Sequence, residues 1–168
     1  SLERAEAYRG MVTEDVAWPD PCLMKDMDKA VKRIHAAVEN GVLIAVFGDY
    51  DVDGITATSL LYTYLYSMNA QVFCKLPSRS DDDYGLSPAM VDQMADRGIG
   101  LIITVDNGVT AFEAAARAKE RDIGLVVTDH HLPYATLPEV GALVNHARPA
   151  AQSGLSGLSG PGVAFMLP

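Results

Sequence analysis

Along most of this sequence, short apolar runs take turns with longer stretches in which apolar residues recur every three or four positions. Val42–Phe47 is the clearest run, and 71–76, 100–105, 123–128 and about 141–145 follow it. Runs of this length, bounded by turn residues, read as strands buried in a sheet. Between them, about 55–68, 87–97 and 110–121 carry helical spacing, and a last helix begins near 162. Ahead of the first strand, 23–39 predicts an amphipathic helix, with Met24, Met27, Val31, Ile34 and Val38 on one side and Gly41 as a stop. Lys25, Lys29, Lys32 and Arg33 fall mostly away from that stripe and read as a solvated face. Strands alternating with helices predict an α/β fold, a mainly parallel five-stranded sheet flanked by helices and joined by right-handed crossovers.

The connections set the expected limits of the domain. Residues 1–20 hold no clear period, and Trp18–Pro19–Asp20–Pro21 reads as a turn or an extended entry. The chain then divides into an N-terminal extension, 1–22, and one α/β domain, 23–168. The connection PSRSDDDYGL (77–86) is long and polar, the kind of loop that carries ligand contacts. GLSGLSGPG (154–162) reads as a mobile loop. The sequence stops at Pro168, just inside the apolar pattern VAFML, and starts without Met, so a domain trimmed at both ends is expected.

Chemically useful side chains recur at one place in this pattern. Asp49, Asp51 and Asp53 sit on alternate residues just after the first strand, and Gly54 falls where the chain is expected to turn into a helix. Asp106 and Asn107 follow the third strand, and Asp129, His130 and His131 follow the fourth. In an open parallel sheet, the carboxyl ends of the strands are where sites form. Carboxylates this close repel one another, and a hard divalent cation with oxygen ligands relieves the repulsion. An isolated acidic turn is ordinary loop chemistry. Three strand ends each closing on metal-ligating residue types are not.

Composition narrows the classes. The chain has 168 residues, of which 49% are hydrophobic, enough for one α/β domain with its own core. No apolar run approaches the roughly 20 residues of a membrane helix. Cys22 and Cys74 lie far apart without metal spacing, which predicts free thiols in a reducing cytoplasm. The net charge of −9 argues against a general nucleic-acid coat protein, which needs a broad basic surface, but leaves room for a nuclease with a narrow track.

The motifs GDYDVDG (48–54), VDNG (105–108) and TDHH (128–131), in this order, resemble the DHH phosphoesterase superfamily. Within it the chain is most similar to the RecJ-type single-stranded-DNA exonucleases, through LMKDMDKAVKRIHAAVENG (23–41), LPSRSDDDYGLS (76–87), ALVNHARP (142–149) and GPGVAFML (160–167). The resemblance implies a Rossmann-like DHH domain holding two divalent ions, Mn²⁺ or Mg²⁺. By motif position, Asp49 and Asp51 would serve one ion and Asp53 the other, with Asp106 bridging both and His130 binding the second. His131 would contact the scissile phosphate, making Asp106, His130 and His131 the catalytic group. Asp129 and Asn107 would hold their neighbours in orientation, and Arg79 and Tyr84 match a substrate-side loop. Three departures stand out: Phe47 replaces a histidine found in some relatives, Asp83 precedes Tyr84 where glycine is frequent, and the sequence ends before a further metal-binding aspartate. That last departure predicts weak binding of the second ion.

The activity implied is metal-dependent phosphodiester hydrolysis. The leading expectation is an exonuclease of DNA repair and recombination, acting on single-stranded DNA, from the 5′ end by resemblance, in the bacterial cytoplasm. Helicase or single-strand-binding-protein partners are implied by the family alone. Two alternatives remain open: a phosphodiesterase of short oligonucleotides or dinucleotides, and a non-catalytic nucleic-acid-binding scaffold. The intact aspartates and histidines argue against the scaffold. His35 and His146 have no such context, and read as a helix-surface residue and a loop residue after the last strand.

Overall fold

In the computed structural model, the described residues are 20–77, 85–148, 155 and 157–167. In chain order they form α1 (Met27–Glu39), β1 (Ile44–Phe47), α2 (Val52–Ser67), β2 (Val72–Lys75), α3 (Pro88–Asp96), β3 (Leu101–Val105), α4 (Phe112–Glu120), β4 (Gly124–Thr128), β5 (Ala142–Val144) and α5 (Gly160–Phe165). Among the described residues, a 3-10 turn, Pro21–Leu23, precedes α1. The strands form one sheet in the order β2-β1-β3-β4-β5, and every neighbouring pair is parallel. The expected five strands are all present, each within two residues of its predicted limits.

Two apolar layers explain the unbroken strand runs. Ile44 and Val46 join one core cluster with Met27, Ile34, Leu61, Leu65 and Val163, from α1, α2 and α5. Ala45 and Phe47 join the other with Met90, Val91, Met94, Ala115 and Ala118, from α3 and α4. Successive strand residues face opposite sides, so a sheet covered on both faces needs apolar residues at every position. Phe47 is fully buried in the second layer.

Three predicted boundaries move, each for a local reason. Helix α1 starts at Met27 rather than 23, because Asp26 is left-handed at φ 65° and interrupts the turn before it. Lys29 and Arg148 hold that residue by ion pairs of 2.8 and 2.7 Å. Helix α2 starts at Val52, earlier than expected, because Asp51 caps it by accepting from the Gly54 amide at 2.9 Å. Gly54 therefore lies inside the helix, and a Cβ there would collide with the Asp49 backbone. The segment 154–162, expected to be a loop, contains the start of α5, capped by Ser159. Arg79, Tyr84 and Asp83, and most of the extension 1–22, lie outside the described residues.

Candidate metal centre

The sheet delivers the polar residues to one edge. Asp49 lies two residues past β1, Asp106 directly follows β3, and Asp129 directly follows β4. Asp49, Asp106, Asn107 and Asp129 are all buried, an unusual concentration of carboxylate at the end of an apolar sheet. Asp106 has φ 63°, a left-handed conformation that turns the chain sharply off β3.

Asp129 is fully occupied by the protein. Its Oδ1 accepts from the amides of His130 (2.7 Å) and His131 (3.1 Å) and lies 2.7 Å from His131 Nδ1. Its Oδ2 accepts from the Val109 amide at 2.9 Å, tying the loop after β3 to the histidine pair. Asn107 donates to the carbonyls of Val105 (2.9 Å) and Phe47 (3.3 Å), joining the ends of β3 and β1. These contacts tie the end of β1 and the loops after β3 and β4 to one another. Asn145, which the sequence reading did not single out, donates to the His131 carbonyl at 2.8 Å and accepts from the Ala147 amide at 2.7 Å. Its only signal in the sequence is a polar residue at the end of the fifth strand.

Asp106 is the opposite case. Both its carboxylate oxygens are buried and, among the described residues, neither accepts a hydrogen bond. His130 Nε2 approaches Oδ1 to 3.1 Å without hydrogen-bond geometry. Burial, followed by the charge of Asp51, pushes Asp106 up to about 7; His131 pulls it down, while Asp53 and Asp129 push further. Burial disfavours protonation of His131, but the hydrogen bond to Asp129 and the charges of Asp129, Asp106 and Asp49 outweigh it and raise the imidazole above its ordinary value.

Two sets of ligand atoms converge on this carboxylate. Asp49, Asp51 and Asp106 bring oxygens within 4.8 Å of one another, and Asp106, His130 and His131 do the same with oxygen and ring nitrogen. Asp106 belongs to both. Two buried oxygens without partners, amid further carboxylates and imidazoles, suit a hard or borderline divalent cation. Asp53 joins neither set among the described residues. Asp51 is the extended N-cap of α2 and Asp53 lies on its first turn, and the charges of both act on Asp106.

Two further features escaped sequence reasoning. Gly160, the first residue of α5, lies against the Asp106 carboxylate, leaving no room for a side chain. Phe112 and Tyr134 stack at 6.4 Å with an interplanar angle of 6°, beside the loops that carry Asp106 and the histidines.

Residues 43–167 match the DHH family, N-terminal domain. A curated relative, the single-stranded-DNA-specific exonuclease RecJ of Bacillus subtilis, is 39% identical over 167 residues, covering 99% of this chain and 21% of the relative. A crystal structure of exonuclease RecJ bound to manganese superposes with a TM-score of 0.76 at 32% identity, covering 86% of this chain and 36% of that one. RecJ of Thermus thermophilus in complex with Mn²⁺ gives a TM-score of 0.73 at 30% identity, over 86% of this chain and 20% of that one. The chain thus spans between a fifth and about a third of the length of these relatives.

Proposed function

The chain belongs to the DHH family, and from that membership we propose that it carries the metal centre of a phosphodiesterase that degrades single-stranded DNA from an end. The observation that carries this reading is the Asp106 carboxylate, buried with neither oxygen hydrogen-bonded among the described residues and ringed by Asp49, Asp51, His130 and His131. The relatives named as single-stranded-DNA-specific exonucleases, and those solved with manganese, support it.

In this reading Asp49, Asp51 and Asp106 would hold one divalent ion, and Asp106 and His130 a second, with Asp53 completing the second by motif position. A pair of such ions supplies a lowered pKa for bound water and charge compensation for phosphate oxygens. The chain's own residues do the rest. Asp106 would contribute to both sites, since its carboxylate belongs to both ligand sets. Asp129 occupies Nδ1 of His131 and so leaves Nε2 to meet a non-bridging phosphate oxygen. The raised pKa of His131 favours the imidazolium, whose positive charge stabilises charge building on that oxygen. The buried Asn107 and Asn145 bonds hold the loops in register, so that these groups are positioned before substrate arrives. Arg79 and Tyr84 are assigned to the substrate-side loop by resemblance alone.

The same resemblance supports a 5′-to-3′ direction and a setting in DNA repair and recombination in the bacterial cytoplasm, with helicase or single-strand-binding-protein partners. The net charge of −9 favours a second reading, hydrolysis of short oligonucleotides or dinucleotides, which need no basic track. Product analysis separates the two. With Mn²⁺, stepwise release of mononucleotides from an end-labelled single strand supports the exonuclease. Cleavage of a dinucleotide alone moves the activity to small substrates, and cleavage of neither refutes both.

A further inference from the structure

Beside the metal centre lies a cleft with no part in the chemistry above. It has a volume of about 430 Å³ and is lined by Gly85, Ser87 and Pro88 on one wall and Gly108, Phe112 and Glu113 on the other. That volume falls within the range of small-ligand clefts, about 300–1,000 Å³. Tyr134 stacks in parallel with Phe112 from outside, yet remains 64% exposed. Leu132, two residues earlier, is 82% exposed. Scattered apolar residues on a surface need no explanation, but two exposed ones within four residues of the histidine pair, with a half-buried ring stacked on one of them, form a patch.

The patch is mechanically joined to the site. Asp129 grips His131 with one oxygen and the Val109 amide with the other. Val109 lies in the loop that forms the cleft wall, between Gly108 and Phe112. Tyr134 follows His131 by three residues and Phe112 follows Val109 by three, so the stacked pair is joined through the chain to both ends of this grip. The wall carries the Phe112 ring, and Tyr134 stacks on it.

We propose that Tyr134 and Phe112 form a stacking platform for a nucleobase of the single strand, next to the phosphate being cleaved. The inference rests on the reading of the substrate as single-stranded nucleic acid, and it names the side chains that grip a base in that strand. Every base has a π-face, so such a platform holds the strand without choosing its sequence. It also supplies affinity that does not depend on positive charge, in a chain whose net charge is −9.

The test compares binding of two single-stranded oligomers at low salt in the presence of Mn²⁺, one intact and one made of abasic residues near the bound end. The variants are Tyr134→Ala and Tyr134→Trp, each checked for an unchanged melting temperature, as expected for so exposed a side chain. The intact strand should bind wild type about 10-fold more tightly than the abasic one. Tyr134→Ala should lose that margin while leaving the abasic affinity unchanged, and Tyr134→Trp should restore it. If wild type binds the intact strand but the abasic strand equally well, or if Tyr134→Ala keeps the margin, the platform is refuted and the nuclease reading stands. Failure of Tyr134→Trp to rescue also counts against stacking. If wild type binds neither strand, both the platform and the single-strand reading fall.

Discussion

Gly160 and Asp106 are in contact across 54 residues of sequence, with the first turn of α5 pressed against the carboxylate that both candidate metal sites share. A Cβ at residue 160 would collide with Asp106 Cγ and Oδ1. The glycine is required here for space, since its φ is not in the left-handed range. Gly160→Ala should therefore displace the carboxylate, lowering Mn²⁺ affinity at least 10-fold and stability by about 1–3 kcal/mol. Gly162→Ala, where the added Cβ meets only the Leu158 side chain and the Ser159 hydroxyl at ordinary to tight distance, is the control. Thermal melts with and without Mn²⁺ measure both effects.

Asp106 makes the metal-free protein sensitive to pH. Its pKa in the folded chain is about 7, above the ordinary carboxylate value, because burial and Asp51 disfavour its charge. A raised acid favours the folded state while it is protonated. The contribution is complete below about pH 4 and is lost as pH rises through about 7. The melting temperature of metal-free wild type should fall by several degrees across that window relative to Asp106→Asn, which carries no charge. Excess Mn²⁺ should restore wild type at pH 7.5 and leave Asp106→Asn unmoved. A wild-type curve parallel to that of Asp106→Asn would contradict the assignment.

Asp129 should behave as the scaffold of the site. Its carboxylate holds the amides of Val109, His130 and His131 as well as the His131 ring, all from a buried position. Asp129→Ala leaves those donors without partners, at a cost of about 3–5 kcal/mol. Because Asp129 is a main cause of the raised His131 pKa, Asp129→Asn should lower the imidazole's titration midpoint, read by NMR in the metal-free chain. An unchanged midpoint would remove Asp129 from that part.

Arg148 and Asp26 tie the start of α1 to the end of β5, and neither belongs to the two ligand sets. The Arg148 side chain is 9% exposed and also donates to the Leu143 carbonyl. Burial works against ionised Asp26, but Lys29 and Arg148 outweigh it and hold its carboxyl below the usual range. Arg148→Ala should destabilise the fold by about 3 kcal/mol and leave Mn²⁺ affinity within a factor of two. Denaturant melts and metal titration check the two halves separately.

The sheet was readable from the sequence because β1 and β3 are buried on both faces. Ile44–Phe47 and Leu101–Val105 have no exposed residue, so their runs are unbroken. The carboxylates were readable because each follows a strand. What escaped depended on contacts that sequence spacing does not encode. The start of α1 turns on the left-handed Asp26, which Arg148 holds from 122 residues away. Alternate spacing of Asp49, Asp51 and Asp53 suggested one crowded edge, and the charges of Asp51 and Asp53 do act on Asp106, but spacing did not show that Asp51 caps α2 or that Asp53 stands on its first turn. Gly160 sat in a Gly/Ser-rich stretch that reads as a loop, and only the packing of α5 gives it a purpose.

The most direct measurement is a Mn²⁺ titration of this chain, followed by the loss of the free-ion EPR signal, in wild type and Asp106→Asn. Wild type should take up Mn²⁺, with affinity rising as pH passes through about 7 and a proton leaves Asp106. Asp106→Asn should take up almost none while keeping its fold by circular dichroism. Equal uptake by the two proteins, or no uptake by wild type at pH 8, would contradict a metal centre built on Asp106.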